Sequence, residues 1–362
     1  LSPDQDTYHR PASAQEMSEF IEQMNSGAVT TLFIHGANPV FEVPKSLGFE
    51  AALANVGTVI SFATFPDETA VASDYVLPDH HGLESWGYQR IATGARQSVL
   101  SGAQPVVSPF QAGTRATADV LIAAAQLAGG EAAQALPFGD EVAYIQSKLA
   151  NLVGQADGSF AAPEINSFSA SFQQHGGWWK NSAEEAAPIA ADALGRELTA
   201  SQAQFSGEGE FFFVPFVSPT LGEDGANIPW LQELPDPTTT VMWNTWVEIN
   251  PETAHELGIE NDDVVKIISE AGEVEAPVYL YPAIRPDTIA MPFGQGHTAY
   301  GRYAQGRGKN PADILGMHFN EAGDLAFAGM KVKIEKTGRQ QVLSRLESRI
   351  GVYGEGMGEE GH

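Results

Sequence analysis

The chain has 362 residues, of which 43% are apolar and 18% charged, a length and composition typical of a globular protein with two domains. Its 46 acidic and 19 basic residues give a formal net charge of −27, which argues against a nucleic-acid partner because such a surface repels phosphate backbones. Cysteine is absent, which excludes disulfides, thiolate nucleophiles and cysteine-ligated iron–sulfur clusters within this chain. No apolar run approaches the ~20 residues that cross a bilayer, so we expect no direct membrane span.

The first part of the chain alternates helix and strand patterns. Ser13 and Glu16 have the spacing of a helix capping box, and an apolar stripe at helical spacing follows them: Met17, Phe20, Ile21 and Met24. Short β-rich runs and further helical patterns then alternate, at residues 29–34, 47–55, 58–62, 72–78 and 117–128. This alternation predicts a parallel sheet with crossover helices. We assign residues 1–135 to such an α/β domain.

The rest of the chain changes its pattern twice. Residues 136–205 are rich in Ala, Ser, Gln and Gly apart from one helix at 138–153 that Asp140 caps, and we interpret them as a variable connection or insertion. Residues 206–337 contain many short strands and one small helix that begins at Asn250, which is typical of a closed β-barrel. The predicted strands lie at 210–217, 241–249, 264–269, 273–280, 288–291 and 331–335. Residues 338–362 turn polar and predict a flexible tail.

The first segment resembles the third domain of molybdopterin oxidoreductases of the dimethyl-sulfoxide-reductase type. The resemblance rests on an ordered set of motifs, which here read Leu32–Pro39 with Gly36 and Asn38, Asp67–Ala70, Ala72–Pro78 and Glu84. The run from Val247 to Val265 is similar to the start of that family's C-terminal dinucleotide-binding barrel, with Asp262 where the family has Gly. Asp tolerates left-handed backbone better than most residues, so we expect the turn to survive. The resemblance therefore implies a partial α/β domain followed by a six-stranded, double-psi-like β-barrel.

Two further sequence runs limit the resemblance to a smaller group of proteins. Residues 229–237 and 291–311 are similar to the B subunit of the quinol-oxidising alternative complex III and its polysulfide-reductase-like relatives. That family implies a large subunit without molybdenum, at the periplasmic face of the cytoplasmic membrane, beside iron–sulfur, haem and quinol-binding subunits. The part of the family pattern that precedes these segments is missing. It stays open whether this sequence is a separate polypeptide or a piece of a longer one. If it is separate, the rest of the same large subunit is also a partner.

The same resemblance supplies candidate cleft residues. They are Gly36, Asn38, Pro39, Glu68 and Thr69 in the first segment, and Gly294, Gly296, His297, Arg302, Arg307 and Asn310 in the second. A glycine after a strand lets backbone amides approach a ligand, and a loop with five glycines and two arginines suits a pyrophosphate. The alternatives are a plain turn at Gly36 and a structural loop whose arginines pair with the abundant carboxylates. Under the complex III resemblance we expect an empty or remodelled cleft.

Other candidate sites are weaker. His80 and His81 are adjacent in the sequence, so their side chains point apart, and no metal-ligand spacing completes them. We therefore assign no metal site and no catalytic residue. The Trp178–Trp179 pair after His175 fits either an exposed subunit contact or buried packing.

Three functions remain open. The first is a component of a quinol-oxidising electron-transfer complex that holds no cofactor of its own and is non-catalytic alone, with iron–sulfur clusters and haems elsewhere in the complex. The second is the cofactor-binding half of an active enzyme that carries molybdopterin guanine dinucleotide and acts on a small oxo- or sulfur compound. The third is a purely structural subunit. The electron acceptor, the quinone type and the stoichiometry are not readable from the sequence.

Overall fold

The computed structural model describes residues 11–91, 97–181, 204–222 and 224–346. The described residues form two compact units, one within residues 1–11 and 77–200 and the other within residues 12–76 and 201–362. The second unit therefore contains both the first helix–strand segment and the barrel. These units are defined by packing, and the domain boundaries at 135, 205 and 337 stay a prediction.

The first segment of the second unit is a three-stranded parallel sheet in the order β1-β2-β3 with short helices. Its elements are α1 (Ala14–Asn25), β1 (Thr31–His35), α2 (Pro39–Glu42), α3 (Phe49–Leu53), β2 (Thr58–Phe62), α4 (Glu68–Val71) and β3 (Tyr75–Val76). The predicted capping box at α1 is confirmed: Ser13 Oγ accepts the Glu16 amide at 3.2 Å, and the Glu16 carboxylate accepts the Ser13 amide at 2.7 Å. Ile21 and Met24 of the apolar stripe are buried against the sheet.

The barrel of the second unit is closed by six strands in the order β10-β11-β9-β12-β7-β13. The elements of this segment are β7 (Phe211–Val217), α9 (Pro229–Gln232), β8 (Val241–Met242), β9 (Val247–Ile249), α10 (Pro251–Glu256), β10 (Asp263–Ile268), β11 (Glu273–Leu280), β12 (Thr288–Phe293), β13 (Lys331–Gln340) and β14 (Ser344–Arg345). Its core consists of inward-facing side chains that solvent does not reach, among them Phe213, Ile249, Ile267, Ile289 and Met291. The predicted fold class, a parallel α/β segment followed by a closed six-stranded barrel, is confirmed.

Two predictions in this segment were wrong in detail. Residues 241–249 form two short strands, because Trp243 between them has φ +61°, a left-handed conformation that cannot continue a strand. The flexible tail was placed too early, since β13 runs to Gln340 and β14 pairs with β8. The rest of the predicted tail, residues 347–362, lies outside the described residues.

The first unit is built on a three-stranded antiparallel sheet in the order β4-β5-β6. Its elements are β4 (Gly87–Arg90), β5 (Val99–Ala103), α5 (Thr117–Ala128), α6 (Gly130–Ala135), α7 (Glu141–Leu149), α8 (Ile165–His175) and β6 (Gly177–Trp179). The predicted Asp140 cap of α7 is confirmed by its bond from the Ala143 amide at 2.8 Å. The sequence analysis missed α8 and β6. Trp178 is 2% exposed and Trp179 36%, so one tryptophan packs in the core and the other reaches the surface.

None of the helices in the described ranges is long and apolar enough to cross a bilayer. The same ranges contain no group of three His, Asp or Glu side chains that converge as metal ligands. Near His80 and His81 the carboxylates have structural roles, because Asp79 accepts the amide and hydroxyl of Thr117 and Glu84 accepts the Phe110 amide.

Asp262 fixes the C-terminal strand to the barrel. Its backbone has φ +67°, the left-handed turn that the sequence led us to expect. Its Oδ1 accepts the Leu343 amide at 2.8 Å, and its Oδ2 lies 3.7 Å from Nη2 of Arg345. Both side chains of this ion pair are buried. The residue that replaces the family's glycine therefore stabilises the segment around β14.

We expect Asp262→Gly to destabilise the protein by about 2 kcal/mol, because removing one partner of a buried ion pair leaves the other charge without compensation. Glycine adopts the left-handed backbone readily, so the loss reports on the carboxylate alone. Denaturant unfolding measures the difference. The matched control is Asp287→Gly in the exposed Arg285–Asp287 pair, which should change stability by less than about 1 kcal/mol. Equal effects of the two variants would contradict the role of Asp262.

Candidate functional site

The carboxylate of Glu68, the first residue of α4, joins the α/β segment to the loop that follows β12. Its Oε2 accepts the Asn38 side-chain amide at 2.7 Å, and its Oε1 accepts the backbone amides of Thr298 and Ala299 at 2.7 and 2.9 Å. Nδ1 of His297 lies 3.2 Å from both oxygens. A carboxylate only accepts, so Nδ1 of His297 carries the proton. Four donors from two parts of the chain thus converge on one buried acid.

Asn38 extends this network along the other side of α4. Its Oδ1 accepts the Thr69 amide at 3.1 Å and the Thr69 hydroxyl at 2.7 Å. Oγ1 of Thr69 in turn accepts the Val40 amide at 3.1 Å. Asn38 sits at the cap position of α2 with Pro39 in the first turn, yet its side chain makes no bond to its own helix. The short turn therefore serves to aim an amide at Glu68 and Thr69.

His297 is enclosed by aromatic rings. Its imidazole stacks on Phe41 with a centroid distance of 3.6 Å and an interplanar angle of 15°, and Tyr300 lies on it at 4.9 Å. The Asn310 side chain donates to the carbonyl of Phe41 at 2.8 Å. Nε2 of His297 is buried and has no hydrogen-bond partner among the described residues. The imidazole therefore stacks between aromatic rings, and among the described residues it forms hydrogen bonds through Nδ1 only.

Two glycines let the loop fold tightly on the barrel. A side-chain carbon at Gly296 would lie 2.2 Å from the Asn310 amide nitrogen, and one at Gly308 would lie 2.3 Å from Oγ1 of Thr245. Both have positive φ, a conformation that favours glycine. The amides of Gly296 and Gly306 donate to carbonyls within the loop at 2.8 Å. Close packing within the protein is therefore enough to explain why glycine is needed at these positions, and no ligand has to be invoked.

The two arginines of the loop lie apart from Glu68. The Arg302 guanidinium is exposed and rests 4.6 Å from the Tyr303 ring, while that of Arg307 lies 4.4 Å from the Trp243 ring. Neither makes an ion pair with a carboxylate in the described part of the chain, so the alternative in which they pair with the abundant acids was wrong there. Gly36 is an exposed turn residue with φ +61°.

Hydrogen bonding holds Glu68 ionised. Burial alone would raise its pKa, but the bonds from His297, the Ala299 amide and Asn38 outweigh burial and lower the pKa of Glu68 to about 2. Burial raises the pKa of the neighbouring Asp67, and the nearby Glu68 charge adds to that increase. Burial and four surrounding acids raise the pKa of Tyr300 to about 12. The network therefore contains one firmly ionised carboxylate and a neutral phenol.

A cavity of about 270 Å³ lies beside this network. Its walls are mostly apolar and include Phe41, Val217, Phe293, Leu315, Leu325 and Phe327. Gly294 and Asn310 complete the wall on the loop side. Both polar atoms of the Asn310 side chain are already used, since its Oδ1 accepts the Ala312 amide at 3.0 Å. The cavity thus suits apolar groups better than charged ones.

The structure brings together only some of the predicted cleft residues. Asn38, Pro39, Glu68, Thr69 and His297 form one buried cluster, and Gly294, Gly296 and Asn310 border it. Gly36, Arg302 and Arg307 lie outside it. No motif marked Phe41 and Tyr300, the rings around His297. Trp243 was not predicted because the residues around it have the pattern of a continuous strand. A role of these residues in cofactor binding stays a prediction.

Comparisons with known proteins show which proteins this chain is similar to. A family model described as the molydopterin dinucleotide binding domain matches residues 234–317. The chain is 26% identical over 332 residues to the menaquinone reductase molybdopterin-binding-like subunit of Nitratidesulfovibrio vulgaris, which covers 89% of this chain and 44% of that protein. It is 34% identical over 127 residues to the molybdopterin-containing arsenate respiratory reductase subunit ArrA of Shewanella sp., covering 32% of this chain and 15% of that protein.

A solved structure shares the fold. Acetylene hydratase from Pelobacter acetylenicus aligns with a TM-score of 0.60 at 16% identity, covering 87% of this chain and 46% of that chain. This chain therefore spans less than half the length of each of these three proteins.

The loop amides beside Glu68 are not free to bind a phosphate. Adjacent backbone amides in a glycine-rich loop are the donors that cradle phosphate groups. Here the amides of Thr298 and Ala299 both donate to Glu68, and that carboxylate is ionised. A phosphate at the same place would meet a negative charge and find the donors already used.

Replacing the carboxylate should loosen the loop. In Glu68→Gln the side-chain NH₂ group must face at least one N–H donor, so we expect the free energy of unfolding to fall by about 2–4 kcal/mol. We also expect hydrogen exchange of the Thr298 and Ala299 amides to become at least about tenfold faster. Exchange followed by mass spectrometry on the 296–301 segment measures this. The control is Glu19→Gln, whose exposed side chain bonds only to Gln15 among the residues described. Unchanged protection in Glu68→Gln would show that the carboxylate does not hold the loop.

The contribution of Glu68 should depend on pH in one direction. The pKa falls from an ordinary 4.5 to about 2 on folding, so the unfolded chain binds the proton more tightly. The resulting stability, about 3 kcal/mol, is complete above the unfolded pKa and is lost as the pH falls from about 4.5 towards 2. The stability difference between the wild type and Glu68→Gln, measured by denaturant unfolding across this range, should shrink accordingly. A difference that is constant down to pH 2.5 would contradict the lowered pKa.

Proposed function

The chain is similar in sequence and fold to the C-terminal part of molybdopterin-oxidoreductase-type large subunits, and on that premise we propose that it is a cofactor-free scaffold in a quinol-oxidising electron-transfer complex of the alternative complex III type. The match to the dinucleotide-binding domain model and the menaquinone reductase relative support an oxidoreductase-like scaffold. The geometry of the Glu68 cluster supports a cleft without a cofactor.

One observation carries the proposal. The carboxylate of Glu68 occupies the backbone amides of Thr298 and Ala299, where the glycine-rich loop could otherwise hold a phosphate. The tight packing of Gly296 against the Asn310 backbone closes the loop from the other side. On this proposal the chain retains the fold of the cofactor domain, and the Glu68 carboxylate takes the place that an anion of a cofactor would have on these amides.

The relatives support membership of a larger assembly. The proteins similar to this chain include a menaquinone reductase subunit and an arsenate respiratory reductase subunit. With no cysteine in the sequence, cysteine-ligated iron–sulfur clusters would be held by other subunits or by another part of the same large subunit. The proposal also assigns the haems to other subunits, and one neighbour would bind quinol in the membrane. We place the complex at the periplasmic face of the cytoplasmic membrane. A net charge of −27 would favour basic neighbours there.

A second candidate function is the cofactor-binding half of an active molybdopterin oxidoreductase. It is favoured by the match of residues 234–317 to a dinucleotide-binding domain and by similarity to reductases of arsenate and tetrathionate. In this case the dinucleotide would have to bind away from the Thr298 and Ala299 amides. The two functions differ in whether metal accompanies the purified complex.

Metal analysis distinguishes the two. We expect the complex, isolated through a tag on this chain, to contain far less than one molybdenum or tungsten per chain, together with haem and iron–sulfur iron from co-purified subunits. Inductively coupled plasma mass spectrometry gives the metals, and extraction of oxidised pterins gives the organic part of the cofactor. A molybdopterin reductase purified in parallel shows that the procedure retains the metal. Stoichiometric molybdenum or tungsten would overturn the cofactor-free scaffold.

A further inference from the structure

Two guanidinium groups without an anionic partner among the described residues, those of Arg302 and Arg307, lie in one loop of a strongly acidic chain. The protein has 46 acidic and 19 basic residues, and other cations such as Lys45, Lys266 and Lys336 lie within 3 Å of a carboxylate. In the described ranges Arg302 and Arg307 have none at ion-pair distance. Because these two unpaired arginines lie in the same loop, both charges are available together to a partner outside these residues.

Aromatic rings hold both arginines in place. Arg302 lies 4.6 Å from the Tyr303 ring and donates to its hydroxyl at 2.6 Å, Arg307 lies 4.4 Å from the Trp243 ring, and the two rings are 6.5 Å apart. We call these four residues the arginine–aromatic patch. A guanidinium that stacks on a ring keeps N–H groups at its edge free to bind a planar anion in bidentate fashion. Nε of Arg307 is buried and has no partner in the part of the chain that the structure describes.

The backbone under the patch is fixed in a strained form. Trp243 has φ +61°, which is rare for a bulky residue and persists only where surrounding structure enforces it. Gln232 supplies that enforcement: its carbonyl accepts the Trp243 amide at 3.3 Å, and its buried side chain donates to the Ala226 carbonyl at 2.6 Å. The side chains of Gln232 and Gln295 also bond to each other at 2.6 Å. The patch is therefore pre-organised.

The shape of the surroundings favours a protein partner over a nucleotide. The cavity beside Trp243 has only about 10 Å³, too little for a nucleotide. The α9 helix that carries Gln232 also exposes Trp230 to 70%, and Leu234 just beyond it is exposed to 48%. Tryptophan, tyrosine and arginine are the residues most enriched at the energetic centres of protein interfaces.

We propose that the arginine–aromatic patch docks a carboxylate-bearing segment of a neighbouring subunit. The Asp or Glu side chains of that segment pair with Arg302 and Arg307, and its apolar side chains cover the neighbouring exposed rings. The inference rests on the proposed function in one respect, since it requires the chain to be a subunit of a complex. It does not depend on whether a cofactor is present.

Charge reversal in the full chain tests the docking. In a tagged Arg302→Glu/Arg307→Glu double variant, retention of one neighbouring subunit through a moderate-salt wash should fall by about tenfold or more. The control, Arg285→Glu/Arg339→Glu, makes the same change in net charge at two exposed arginines that pair with carboxylates of this chain, and should leave retention unchanged. Thermal unfolding of both variants checks the fold, and Arg302→Lys/Arg307→Lys should retain the subunit better than the glutamate variant.

Cross-linking identifies the partner's chemistry. A carbodiimide joins a lysine amine to a carboxylate it touches, so the Arg302→Lys chain in its complex should yield a peptide linked from residue 302 to an Asp or Glu of the neighbouring subunit. Three results would overturn the proposal: equal retention in the double variant and its control, a link only to acids of this chain, or a bound nucleotide that disappears in the double variant. If the wild-type chain itself co-purifies with no subunit, the proposed function fails as well; with an intact wild-type complex, only the docking fails.

Discussion

A single buried carboxylate determines how the two segments of the second unit meet. Glu68 is 8% exposed, and an ion so enclosed is costly unless donors surround it. The Asn38 side chain, the His297 ring and two successive loop amides supply those donors. Each donor is positioned by a different local feature: the Asn38–Pro39 turn, the stacking of His297 on Phe41, and the glycines that fold the loop. Loss of any of these features would leave the Glu68 carboxylate with fewer hydrogen-bond donors.

This arrangement links the fold to the proposed function. In a dinucleotide-binding barrel a glycine-rich loop presents amides to a negatively charged ligand. The loop of this chain presents two amides to a negative charge that belongs to the chain itself. The same loop carries its two arginines away from that point, on the rings of Tyr303 and Trp243. One loop can thus bond internally to Glu68 and still offer cationic groups to a neighbour.

The sequence predicted most of the fold, since local rules governed it. Ser13 and Glu16 formed the capping box that their spacing predicted, and Asn250 caps α10, where the sequence predicted the start of a small helix. The failures occurred where distant contacts override local preference. Trp243 interrupts a run rich in strand-forming residues because Gln232 holds it in a left-handed turn. The helix α8 was not predicted because its many serines and glutamines have the composition of a loop, although its Phe168 and Phe172 pack in the core. Motifs located Asn38, Glu68 and His297, but only the structure showed that Glu68 accepts the loop amides.

An experimental density map of the purified complex around residues 296–300 tests the central claim most directly. The account predicts that the Glu68 carboxylate lies within hydrogen-bond distance of the Thr298 and Ala299 amides, with no phosphate density between them. Density for a phosphate on those two amides, with the Glu68 side chain turned away, would contradict it.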